Sequence, residues 1–98
     1  MEIIFNHGDS LNVKLIGRLD TTTSIDLDNK MKEENIKEEL VIFDFKDLEY
    51  ISSAGLRVLL AIKKSLEGNN KKLEIHNINP VVREVFTVTG FINVLTIK

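Results

Sequence analysis

No cysteine occurs among the 98 residues. That excludes a structural zinc site of the thiolate kind and a catalytic thiol, and a cytoplasmic setting fits such a composition best. Basic charge is not in excess either. Thirteen lysines and arginines stand against 15 acidic residues, giving a net charge of −2 with the signs well mixed. Nothing in that balance supplies the positive field that nucleic-acid binding needs, so no nucleic-acid partner is expected. Apolar runs are only a few residues long, against the roughly 20 that a membrane-spanning helix requires. The opening Met1-Glu2-Ile3-Ile4-Phe5-Asn6-His7 lacks the basic-then-apolar order of a secretory signal. Proline occurs once, and neither a repeat nor a low-complexity tract is present. The expectation is a single domain over residues 1–98, whose 43% hydrophobic content suffices for a modest core without disulfide or metal staples.

What is present is an apolar pattern that changes period several times. Residues 2–6 form a β-type run, His7-Gly8-Asp9-Ser10 supplies turn chemistry, and Leu11, Val13, Leu15 and Ile16 mark a second strand. Together they predict a hairpin. Residues 21–34 read as a helix with Ser24, Leu27 and Met31 on one stripe. The mixed charges of residues 28–39, broken by Met31 and Ile36, read as a solvated helix face and a turn. Leu40-Val41-Ile42-Phe43-Asp44-Phe45 reads as a strand covered on both faces. A second helix spans residues 54–68, opened by Ser52-Ser53 and closed by Gly68-Asn69-Asn70. A short strand follows at residues 73–76. Asn79-Pro80 then starts a third helix with Val82, Val85 and Phe86 inward; Gly90 ends it, and residues 92–97 form a last strand. The order β-β-α-β-α-β-α-β predicts an α/β fold with a mixed, mainly parallel sheet of about five strands. Periodicity alone leaves open whether the helices cover one face or both.

Sites in parallel α/β sheets lie at the carboxyl ends of strands. Two such ends are rich in polar groups: Gly17-Arg18-Leu19-Asp20-Thr21-Thr22-Thr23 and Asp47-Leu48-Glu49-Tyr50-Ile51-Ser52-Ser53-Ala54-Gly55-Leu56. If the second and third strands are parallel neighbours, Asp20 and Ser53 share one edge. A serine nucleophile needs a histidine base held by a carboxylate. The two histidines, His7 and His76, sit in a turn and at a strand end, and no Gly-x-Ser-x-Gly elbow occurs. Enzymatic activity is therefore not expected, nor is a cofactor or a metal. Ser53 reads instead as the N-cap of the second helix and as a modifiable hydroxyl, because a helix N-terminus favours anions. On a helical wheel Val58, Leu59, Ile62 and Leu66 form the core arc, while Leu56 and Leu60 fall among Lys63 and Glu67. Those two leucines are either the edge of a wide core stripe or a partly exposed docking patch beside Ser53.

Gly17-Arg18-Leu19-Asp20, Val41-Ile42-Phe43-Asp44-Phe45 and Ile51-Ser52-Ser53-Ala54-Gly55-Leu56-Arg57-Val58-Leu59-Leu60 resemble the STAS domain of bacterial anti-sigma-factor antagonists. Val85-Phe86-Thr87-Val88-Thr89-Gly90-Phe91 is similar to that family's last helix and glycine stop. The resemblance implies the STAS fold, with helices on one side of the sheet. It also implies a non-enzymatic partner switch. An anti-sigma factor with serine kinase activity would bind the unmodified chain and use ATP to phosphorylate it, and a phosphoserine phosphatase would reset the cycle. The acceptor implied is Ser53, with Ser52 as runner-up. The implied partner-facing set is Asp20, Thr21, Ser52, Ala54, Gly55, Leu56, Arg57 and Leu60. The family's usual pattern is Asp-Ser-Ser/Thr-Gly-Leu; this chain has Ser52 at the aspartate position and Ala54 at the second hydroxyl position. Those departures favour an alternative, a constitutive STAS interaction module never phosphorylated. A receiver-like domain phosphorylated on Asp44 is the third reading and finds less support.

Overall fold

The first two strands, β1 (Glu2–Asn6) and β2 (Leu11–Leu19), pair antiparallel through the turn at His7-Gly8-Asp9-Ser10. All nine residues of β2 are used, because it serves three neighbours in the computed structural model, which describes residues 1–98. After β2 come α1 (Thr21–Glu33), β3 (Leu40–Asp44), β4 (Leu48–Ile51) and α2 (Ser53–Gly68). The chain ends with β5 (Lys72–His76), α3 (Pro80–Thr89), a single 3-10 turn at Phe91–Asn93 and β6 (Thr96–Ile97). The sheet runs β1-β2-β3-β5-β6, antiparallel only at β1, with β4 paired to the far end of β2.

Side-chain alternation decides where the helices lie. Leu11, Val13, Leu15, Val41, Phe43, Leu73 and Ile75 are buried, while Asn12, Lys14, Ile42, Asp44, Glu74 and His76 between them stay half-buried. The inward residues join Leu27, Met31, Leu56, Leu59, Ile62, Leu66, Val82 and Phe86 of the three helices in one core cluster. One core on one face means that the helices share a side of the sheet, as the family resemblance implied. The expectation that residues 40–45 are covered on both faces is corrected: Leu40 and Ile42 line the open face. A strand of Leu, Val, Ile and Phe hides its alternation, since both faces are apolar.

Two further expectations change. The segment Leu48–Ile51, read as a strand-end loop, is a sixth strand. It pairs with Gly17–Leu19, past the point where β3 lets go of β2 at Lys14. The last strand is shorter than residues 92–97, because Gly90 (φ 80°) throws the chain into the 3-10 turn first. At Gly17 the backbone has φ 109°, the β2–β4 register shifts, and the Met1 backbone lies 3.5 Å from where a side chain would begin. Only glycine takes that conformation without strain.

The opposite end of β2 is held by a clasp. His7 Nδ1 lies 2.7 Å from Glu38 Oε2, and His7 Nε2 pairs with Glu34. A neutral imidazole donates from one nitrogen only, so bonding both carboxylates requires the protonated ring. The Glu34 hydrogen bond, followed by that of Glu38, raises the His7 pKa above its ordinary 6.5. A raised histidine pKa stabilises the fold fully below the unfolded value and loses that contribution as pH rises through the folded one. The urea midpoint should therefore fall as pH climbs from about 6.5 to the alkaline side, and His7→Gln should flatten that slope. An equal slope in the variant would show the clasp to be energetically silent.

Candidate partner-docking site at the start of α2

Leu19 of β2 stands in register with Ile51 of β4, and the Ser52 N–H donates to the Leu19 carbonyl at 2.9 Å. Asp20 and Ser52 each follow one member of that pair, and each is the N-cap of the helix that comes next. Asp20 and Ser53 thus come to one edge of the sheet, through β4 rather than β3. Arg18 and Tyr50 are paired one step earlier, with the guanidinium 4.4 Å from the ring centroid. That cation–π contact fastens the same end of β2 to β4.

The Asp20 carboxylate accepts from the backbone N–H groups of Thr23 (3.0 Å) and Thr22 (3.1 Å), while the Thr23 hydroxyl accepts from the Asp20 N–H at 2.8 Å. This capping box starts α1. The Thr23 backbone bond above all holds the Asp20 carboxyl below its ordinary range. Asp20 is consequently a fixed anion at the head of α1, and Thr21 beside it is exposed.

The reading of Ser53 as N-cap is corrected. Ser52 caps α2, its hydroxyl accepting from the Gly55 N–H at 3.3 Å. Ser53 is the first residue inside the helix; it is exposed, and its hydroxyl makes no hydrogen bond. The shift follows from β4: Ser52 must donate its N–H to Leu19, which leaves it extended (φ −95°, ψ 174°) as a cap requires. Ser52 is accordingly engaged and half-buried, whereas Ser53 is free.

Gly55 explains how the helix sits so close. A Cβ at that position would lie 2.9 Å from the Leu19 carbonyl oxygen and 2.8 Å from Ile51 Cγ1. Close seating sinks the first turn, and Leu56 is only 2% exposed. The docking-patch reading of Leu56 is thereby corrected, and neither Gly55 nor Leu56 offers surface to a partner. Ala54 and Leu60 are half-buried and Arg57 is exposed.

An exposed apolar group outside the expected set stands near the start of the other helix. Ile25 of α1 is 60% exposed. It lies one turn ahead of Asp28, on the flank of α1 that faces α2. Along that flank a cleft of about 280 Å³ opens between the helices, lined by Met31, Ile36, Ala61, Ile62 and Leu66. The sequence signal for Ile25 was an isoleucine off the stripe of Ser24, Leu27 and Met31. The histidines are occupied elsewhere, His7 with Glu34 and Glu38, and His76 with Glu74 at 3.0 Å. Neither serves Ser53 as a base. No helix is long and apolar enough to cross a membrane.

The STAS domain family profile matches residues 2–98, and the chain belongs to that family. A Bordetella bronchiseptica protein provisionally named anti-sigma factor antagonist BtrV is 42% identical over 60 residues, 61% of this chain. That match spans only about half of the relative's length (52%). The Listeria monocytogenes anti-sigma-B factor antagonist is 24% identical over 99 residues, covering 100% of this chain and 87% of that one. Among solved structures, the anti-sigma factor antagonist SpoIIAA in its unphosphorylated form superposes with a TM-score of 0.82 at 20% identity, over 99% of this chain and 88% of its own. Its phosphorylated Bacillus form gives a TM-score of 0.70 at 18% identity, over 99% and 91%. These likenesses establish the fold.

Urea denaturation separates the roles of the residues that open α2. Ser52→Ala should cost about 1 kcal/mol through the lost cap, whereas Ser53→Ala should stay within about 0.5 kcal/mol of wild type. Gly55→Ala should cost roughly 1–3 kcal/mol by overpacking against Leu19 and Ile51. Equal effects at the two serines would contradict the assignment of the cap.

Proposed function

We propose that this chain is an anti-sigma factor antagonist worked as a phosphorylation-controlled partner switch. With Ser53 unmodified it binds an anti-sigma factor that is also a serine kinase; phosphorylation of Ser53 releases that partner, and a phosphoserine phosphatase restores binding. The observation that carries this reading is the Ser53 hydroxyl itself: exposed, free of hydrogen bonds, and in the first turn of a helix already capped by its neighbour. The names of the Listeria and Bordetella relatives, and SpoIIAA solved in both phosphorylation states, support it.

In the transfer the Ser53 oxygen attacks the γ-phosphorus of ATP. The oxygen–phosphorus bond forms as the bond to the ADP oxygen breaks, and the hydroxyl proton passes to a base of the kinase. The antagonist supplies a nucleophile and no catalytic group. ATP places this cycle in the cytoplasm.

Partner contact in the unmodified state involves Asp20 and Thr21 at the head of α1, and Ser52, Ala54, Arg57 and Leu60 of α2. The exposed Ile25 adds an apolar contact. A new charge about 5 Å from a carboxylate, at an effective dielectric of about 20, is repelled by roughly 3 kcal/mol. That is about a hundredfold in affinity. The fold loses almost nothing, because Ser53 holds no cap and no core contact.

Ser52 and Ala54 favour the second reading, a STAS module that binds its partner constitutively. Ser52 nevertheless caps α2 as an aspartate would, so its presence leaves the helix start intact. Incubation with the cognate kinase and ATP, followed by mass spectrometry of the peptide containing Ser52 and Ser53, tests the switch. Phosphate should appear on Ser53 and vanish in Ser53→Ala; phosphate on Ser52 alone, or none, would exclude it. Ser53→Asp should weaken the complex tenfold or more in the switch and leave it unchanged in the constitutive module.

A further inference from the structure

Arg57 lies one helical turn after Ser53 on α2, and both residues are exposed. Residues four apart on a helix have Cβ atoms about 5–6 Å from each other. Arg57 makes no hydrogen bond and no ion pair, unlike Lys63 of the same helix, which bonds Glu67 at 2.9 Å, and Arg18, which sits over Tyr50. A free guanidinium therefore stands within side-chain reach of the one unbonded hydroxyl at the start of α2. Its planar fork matches a phosphoryl group, which offers three acceptor oxygens and close to two negative charges at neutral pH.

We propose that Arg57 captures the phosphoryl group of phosphorylated Ser53 in an intramolecular charge-assisted clasp, a regulation that rests on Ser53 being the residue modified. Capture holds the phosphate against the helix face and not free in solvent. It also inverts the local charge: Arg57 alone presents one positive charge, and the clasped pair presents about one negative charge. A partner docked on this face loses an exposed cation and meets an anion at the same place. Ser52 does not share the arrangement. It precedes Arg57 by five residues, points to the Gly55 N–H, and lies well round the helix from the guanidinium.

Phosphorus-31 titration of the full chain, with phosphoserine installed at position 53 during translation, tests the clasp without any kinase. Arg57→Gln should raise the second phosphate pKa by roughly half a unit, and Arg57→Lys, which keeps the charge but not the fork, should fall between. Phosphoserine installed at position 52 should titrate identically with and without Arg57→Gln. An unchanged pKa at position 53 in Arg57→Gln would overturn the clasp, as would an equal shift at position 52. Failure of a kinase to modify Ser53 would count against the switch and leave this titration as it is.

Discussion

The site depends on the pairing of Leu19 with Ile51. β2 extends past β3, and β4 takes up its free edge, so two strands end level and two helices begin side by side. The Ser52 N–H bond to the Leu19 carbonyl sets where α2 starts, and Gly55 lets that start approach to backbone contact. A residue with a Cβ there would push α2 outward and separate Ser53 from the head of α1. The placing of these two helix starts is thus a consequence of sheet register rather than of any flexible loop.

Two neighbouring serines divide the work of the edge. Ser52 caps the helix with its hydroxyl, and Ser53 leaves its own hydroxyl exposed and unbonded. A serine that capped the helix would give up part of that cap on modification. A serine one residue further gives up nothing, and its charge remains near the helix N-terminus, where anions are tolerated. Asp20 does for α1 what Ser52 does for α2, with its carboxylate spent on the Thr22 and Thr23 N–H groups. Helix capping and the free hydroxyl therefore fall to different side chains, so charge added at Ser53 would leave the cap of α2 in place.

Much of this was legible in the amino-acid pattern because local punctuation is strong. The strand at residues 2–6, the start of α3 at Asn79-Pro80 and its end at Gly90 all stand where turn and cap chemistry places them. β4 was not legible, since four residues hold a single alternation and pair only because β2 overhangs. The cap was misplaced by one residue because Ser52 and Ser53 cap equally well in isolation; the choice between them is made by Leu19, more than thirty residues earlier. Leu56 stayed open between core stripe and docking patch for a related reason. A helical wheel gives relative angles, but the depth of the first turn is set by what Gly55 permits. Ile25 was passed over because one isoleucine off a stripe is ordinary, and it gains meaning only beside α2. The family resemblance supplied what periodicity left open, the placing of the helices on one side.

The central claim is that charge on Ser53, and not a change of fold, decides binding. Calorimetric titration of the cognate anti-sigma factor with the unmodified and the fully Ser53-phosphorylated chain measures it directly. Affinity about a hundredfold weaker for the phosphorylated chain, with an unchanged urea midpoint, is the predicted result. Equal affinity, or a loss that tracks unfolding of α2, would contradict it.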